Sequence, residues 1–141
     1  MTRKQRILFV CTANAARSQM AEGLLRAKFG NHYEVFSAGT RLSRLSPRAV
    51  EVMQETGIDI SKHYSKTLEQ LEERTFDVAV TLCDHAREAC PVITGAKKHL
   101  HRGFCDPHFS TGTDADVLDR YRRVRDEISA WIEETFDPEK K

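Results

Sequence analysis

The feature that most limits the fold is an apolar run that stops on a cysteine. Ile7-Leu8-Phe9-Val10 leads into Cys11, five short residues follow (Thr12-Ala13-Asn14-Ala15-Ala16), and Arg17-Ser18 then opens a segment with helical patterning. The span Arg6 to Val10 reads as a buried strand. Ser18 to about Phe29 reads as a helix with Met20, Leu24, Leu25 and Ala27 on its apolar side, closed by Gly30. Between them, small side chains let the loop curl with its backbone N–H groups turned inward, and the positive end of the helix points at the same spot. Arg17 adds a planar fork suited to a tetrahedral oxyanion. The same field favours the thiolate form of Cys11 at neutral pH. A nucleophile at the floor of an oxyanion trap is the arrangement to expect.

Strand and helix patterns alternate along the rest of the chain. Tyr33 to Ser37 reads as a strand ending in Ala38-Gly39. Pro47 opens a helix through Thr56, with Ala49, Val50 and Met53 inward and Gly57 stopping it. Leu68 to Glu73 reads as a short helix, Phe76 to Leu82 as a central strand, and Lys97 to Arg102 as a weaker strand. Asp116 to about Phe136 reads as a closing helix, with Leu118, Tyr121, Val124, Ile128, Trp131 and Ile132 at helical spacing. This alternation predicts an α/β fold: one domain over residues 1–141, with a parallel sheet covered on both faces. Ligands of such sheets bind beyond the carboxyl ends of the strands. Cys11 and Cys83 both follow strands and so should share that rim.

With 22 Lys and Arg against 21 Asp and Glu, the net charge of +1 gives no global attraction to nucleic acid or an anionic membrane. The apolar run after the basic Thr2-Arg3-Lys4-Gln5-Arg6 is too short for a signal-peptide core, which gives the expectation of a cytoplasmic protein. In a reducing compartment the four cysteines, Cys11, Cys83, Cys90 and Cys105, are not expected to form a static disulfide framework.

Asp106-Pro107 is the second chemical candidate. A carboxylic acid on a loop opposite a thiolate can protonate a leaving oxygen, although Asp-Pro is also an ordinary turn dipeptide. Cys83 and Cys90 are the third. In a regular helix, positions seven apart share a face but lie about 10.5 Å apart along the axis, whereas a disulfide needs Cα atoms within roughly 7 Å. Either the pair is not a disulfide, or the segment is built to unwind. A zinc site adding His99, His101 and Cys105 is the weaker alternative, since no tight ligand knuckle is present. His32, His63, His85 and His108 show no partner pattern. The charged face of the last helix, with Arg120, Arg122, Arg123, Arg125, Asp126 and Glu127, reads as solvated and ion-paired.

Cys11-x5-Arg17-Ser18 after a strand, with Asp106-Pro107 late in the chain, resembles the low-molecular-weight protein tyrosine phosphatase family. Ser18-Gln19-Met20-Ala21-Glu22-Gly23, Ser37-Ala38-Gly39, Thr81-Leu82-Cys83 through Cys90-Pro91, and Arg123-Val124-Arg125-Asp126-Glu127-Ile128 resemble its thioredoxin-coupled arsenate reductases. The resemblance implies a four-stranded parallel sheet with helices on both faces. It also implies that the loop Thr12, Ala13, Asn14, Ala15, Ala16, Arg17 and Ser18 binds arsenate, with phosphate or sulfate as competitors. Cys11 would attack arsenic while Asp106 assists loss of an oxygen; Cys83 would then attack Cys11, and Cys90 would attack Cys83. The resulting Cys83–Cys90 disulfide would be reduced by thioredoxin, and looping out of the intervening segment would relieve the geometric objection. No tightly bound cofactor or metal is implied, and a monomer is expected.

Four positions depart from that pattern. Ala13 stands where the family usually has glycine and, at a positive φ, would add roughly 1 kcal/mol of strain. Ala16 replaces a cysteine frequent in close relatives. Some relatives bind potassium through residues matching Asn14, Glu22, Ser37 and an aspartate. Lys66 stands where that aspartate would be and can supply the charge itself, so a potassium requirement is not expected. Cys105 replaces a commonly acidic residue. The rival readings are a phosphatase acting on phosphotyrosine or a small phosphomonoester, a glutaredoxin-coupled reductase, and a redox-sensing adaptor with a degenerate loop. A phosphatase leaves Cys83 and Cys90 unexplained, although weak phosphatase activity can persist as a side reaction.

Overall fold

The apolar run becomes strand β1, Gln5–Cys11, one residue longer at each end than its pattern implies. In the computed structural model, which describes residues 3–72, 75–84 and 92–140, three more strands follow. They are β2 (Tyr33–Gly39), β3 (Phe76–Thr81) and β4 (Ala96–His101). All pair in parallel in the order β2-β1-β3-β4. β1 and β3 lie inside the sheet and carry the apolar runs at residues 7–10 and 78–80. β4 is an edge strand whose Lys97, Lys98 and His99 are exposed, which is why its sequence signal is weaker.

Period-two alternation sorts β1 between two layers. Ile7, Phe9 and Cys11 share one face with Val78 and Val80 and pack against α1 (Arg17–Phe29) and α3 (Asp114–Phe136). The helix α2 (Pro47–Gln54) adds Ala49, Val52 and Met53 to that core. Leu8 and Val10 turn to the other face, with Phe76 and Ala79, where Leu71 and Ile93 cover them. Handedness explains the split. The β1-α1-β2 connection moves one way along the sheet, and β2 to β3 moves back across β1. Right-handed connections then cross opposite faces, and the β2 to β3 connection does so past α2, where Leu68 and Leu71 pack on the second core.

Several expected boundaries and faces shift. Ala27 is exposed, because α1 turns its buried side through Met20, Ala21, Leu24 and Leu25. In α2 it is Val52 that is fully buried, while Val50 is half-buried beside the core. α2 ends at Gln54, before Gly57 turns the chain at φ +81°. The segment expected to be helical from Leu68 is one 3-10 turn, Leu68–Gln70. Leu71 leaves helical geometry at ψ 132° and inserts into the second core. α3 starts two residues early because Thr113 accepts from the Asp116 N–H while the Asp116 carboxylate accepts from the Thr113 N–H.

Candidate active site

The loop after β1 is shaped by what holds its carbonyls. The Thr12 carbonyl accepts from the N–H groups of Thr40 and Arg41, and that of Ala15 accepts from the Ser46 N–H. Ala13 O accepts from the Ser65 hydroxyl at 2.8 Å, and Asn14 O from Gln19 Nε2 at 3.0 Å. In a trans peptide the N–H points opposite to the C=O. Four consecutive carbonyls tied outward therefore turn the N–H groups of residues 13–16 toward the concave side. Gly39 makes this closeness possible: a Cβ there would sit 2.7 Å from Thr12 O and 2.9 Å from Asn14 N.

The left-handed residue of the loop is Asn14, at φ +52°, and among the described residues it is the non-glycine one with positive φ. Asparagine tolerates that region because its short polar side chain bonds locally. Ala13 is not left-handed, so the strain expected from its replacing a glycine does not arise.

Cys11, 2% exposed, forms the floor, with its Sγ 2.9 Å from Ser18 Oγ. Arg17, equally buried, donates to Phe104 O at 3.2 Å and pairs with Asp106 Oδ2 at 3.2 Å. The other oxygen of Asp106 accepts from the His108 N–H, which fixes the carboxylate at the start of the turn Pro107–Phe109. The N-cap of α1, Ala16, offers no side-chain cap, so the first amides of that helix keep their positive end uncovered beside the loop. A cavity of about 70 Å³ results, lined by Cys11, Arg17, Arg41, Asp106, His108 and Tyr121 among others. Pockets for drug-sized organic ligands run to about 300–1,000 Å³. This one has room for a small oxyanion, with a thiol below it and a carboxyl at its wall.

Behind the loop lies a buried polar cluster. Asn14 Nδ2 donates to Ser18 Oγ at 2.7 Å and to Ser37 Oγ at 3.1 Å. The Ser37 hydroxyl donates to Glu22, whose second oxygen pairs with Arg26 at 2.6 Å. Gln19 bridges Asn14 to Tyr64 O and to His63. Burial holds the His63 imidazole below its ordinary value, with Glu22 and Asp59 opposing and Arg26 and Lys66 assisting. Burial lowers the Lys66 ammonium likewise, with Glu22 opposing and Arg26 assisting.

The structure thus gathers Cys11, Ala13, Ala15, Ala16, Arg17 and Asp106 around one cavity, while Thr12, Asn14 and Ser18 complete the loop without lining it. Cys83, two residues past β3, is fully buried and disulfide-bonded. Cys90, with His85, lies outside the described residues. Cys105 is exposed and free. It lines a separate cavity of about 240 Å³ that shares Asp106 and Phe109 with the first. Of the side chains in the zinc alternative, His99 bonds Ile93 O and His101 bonds Thr81, and among the described residues, which leave out Cys90, no group of three metal-ligating side chains gathers. His63, expected to lack a partner, is tied to Gln19 and Arg26. The sequence did not place Gln19, His63, Arg41 or Tyr121 at the site. Their contacts join distant segments, and Tyr121 fits the apolar spacing of α3 as well as it fits a pocket wall.

The sequence profile of the low molecular weight phosphotyrosine protein phosphatases matches residues 6–138. An arsenate reductase of Halalkalibacterium halodurans is 44% identical over 129 residues, 92% of this chain and 93% of the relative. Among solved structures, an arsenate reductase in its reduced state superposes with a TM-score of 0.77 at 28% identity, covering 94% of this chain and 97% of that one. A thioredoxin-dependent arsenate reductase of Corynebacterium glutamicum gives a TM-score of 0.66 at 25% identity, covering 94% of this chain and 62% of its own.

Proposed function

The chain belongs to the low molecular weight phosphotyrosine protein phosphatase family, and we propose that it reduces arsenate to arsenite through a relay of three thiols recycled by thioredoxin. The observation that carries this reading is the small cavity, floored by Cys11 and walled by Arg17 and Asp106. The arsenate reductase name of a relative aligned over nearly the whole chain supports the substrate. Thioredoxin as partner is supported by the thioredoxin-dependent neighbour.

Arsenate enters the loop, held by the inward N–H groups and by Arg17. The Cys11 thiolate attacks arsenic, and Asp106 supplies a proton so that one oxygen leaves as water. Cys83, as thiolate, then attacks the Cys11 sulfur. The S–S bond forms as the S–As bond breaks, its electron pair goes to arsenic, and arsenite is released. Cys90 attacks Cys83 and frees Cys11. The dithiol of thioredoxin reduces the Cys83–Cys90 disulfide and is itself oxidised. The disulfide-bonded Cys83, on the same strand rim as Cys11, is compatible with that last stage.

The reading needs no resident cofactor. Glu22, which with Asn14 and Ser37 matches a potassium site of some relatives, is already paired with Arg26, and Lys66 stands at the fourth position. An aryl phosphate is the second candidate substrate, because the loop serves phosphate as well as arsenate. Cys83 and Cys90, which a phosphatase leaves without a role, favour arsenate. The test is steady-state arsenite production with thioredoxin and its reductase against glutathione with glutaredoxin. Sustained turnover with thioredoxin is expected. Turnover with glutaredoxin alone would replace the partner, and no arsenite with either would remove the function.

A further inference from the structure

Gln19 is fully buried yet does not line the cavity, and its amide ties the back of the loop to Tyr64 and His63. Its Nε2 faces three oxygens: Asn14 O and Asn14 Oδ1, each at 3.0 Å, and Tyr64 O at 2.9 Å. That fixes the amide's orientation, since the flipped form would set an oxygen against three acceptors. Gln19 Oε1 must then accept, so the His63 Nδ1 at 2.9 Å carries the proton. His63 Nε2 is left to accept from Arg26 at 3.3 Å.

The polarity runs on toward the thiol. With Asn14 Oδ1 occupied by Gln19 and by the Lys66 N–H, its Nδ2 is the end that meets Ser18 Oγ. The Ser18 oxygen receives that hydrogen and keeps its own for Cys11 Sγ at 2.9 Å. We infer that Gln19 is a positioning residue for Cys11: through Asn14 it sets the direction of the Ser18 hydrogen bond and fixes the left-handed turn of the loop. The inference rests on the proposed role of Cys11 as nucleophile.

A residue that serves only stability would weaken the fold without depending on Asn14. The test is therefore a double-mutant cycle of Gln19→Met with Asn14→Gly, where glycine keeps the left-handed turn but removes the bridging amide. The primary readout is the rate at which iodoacetamide labels Cys11 in the reduced protein at pH 7, followed on the Cys11 peptide so that the exposed Cys105 does not contribute. Gln19→Met should slow labelling about tenfold and lower kcat for arsenate by a similar factor, with KM changed less than about threefold. In the Asn14→Gly background the same substitution should add less than about twofold. Gln19→Glu, which keeps the shape and the acceptor to His63 but loses the donors, should behave as Gln19→Met does.

Unchanged labelling, or effects that simply multiply in the double variant, would overturn the inference. Loss of the fold in both Gln19 variants would also overturn it, making Gln19 structural. If wild-type protein reduces no arsenate, the proposed function fails on its own, while the labelling arms still judge Gln19.

Discussion

Asn14 does two jobs that usually fall to different residues: it takes the left-handed turn and its side chain ties the loop to Ser18 and Ser37. With Asn14 taking the turn, Ala13 stays out of the left-handed region. Gly39 is the residue that cannot be spared. A methyl there would press on two backbone atoms of the loop, which cannot rotate away as a flexible side chain can. Gly39→Ala should destabilise the protein by about 1–3 kcal/mol and weaken phosphate inhibition, read by urea denaturation and by competition assays. An unaltered unfolding midpoint would show that the loop shifts freely. At this scale Cys11, Arg17 and Ser18 stood out by their spacing, whereas Asp106, in an ordinary turn dipeptide, stood out only once the Cys11 loop was read. Gln19 and His63 did not. The bond between them joins residues 44 apart in sequence, and an amide in a helix carries no local sign of its partner.

At the scale of elements, α1 leaves its N-terminus uncapped and so presents it to the loop, whereas α3 is closed by a reciprocal cap. α3 is also clasped to α2: Glu55 accepts from Arg122 at 2.8 Å and from Arg125 at 2.8 Å. The hydrogen bond from Arg122 leads in holding the Glu55 carboxyl below its ordinary value, with Arg125 assisting and burial opposing. A depressed carboxylate contributes stability that is present above its unfolded value and is lost as pH falls through the folded one. Glu55→Gln should therefore be less stable than wild type near pH 7, with the gap closing as pH drops below about 4.5, the ordinary value. Urea titrations of both proteins across that range check it, and a gap independent of pH would contradict it. The strands and long helices were readable from periodicity. The turn at Leu68 was not, because Leu71 answers to the second core rather than to local propensity.

At the scale of the molecule, β1 and β3 are parallel neighbours, so Cys11 at the end of β1 and Cys83 two residues past β3 leave the sheet at one rim. A shared rim followed from the alternation of strands and helices, as did a site beyond the strand ends, whereas the neighbouring of β1 and β3 is a finding of the structure. What no periodicity could supply was the order of the proposed relay, which depends on which sulfur reaches which. The most direct measurement is the count of arsenite released per chain by Cys90→Ser, with thioredoxin and its reductase in excess. The relay predicts a burst of one arsenite per chain and then a halt, while wild type continues. Sustained turnover by Cys90→Ser at the wild-type rate would contradict it.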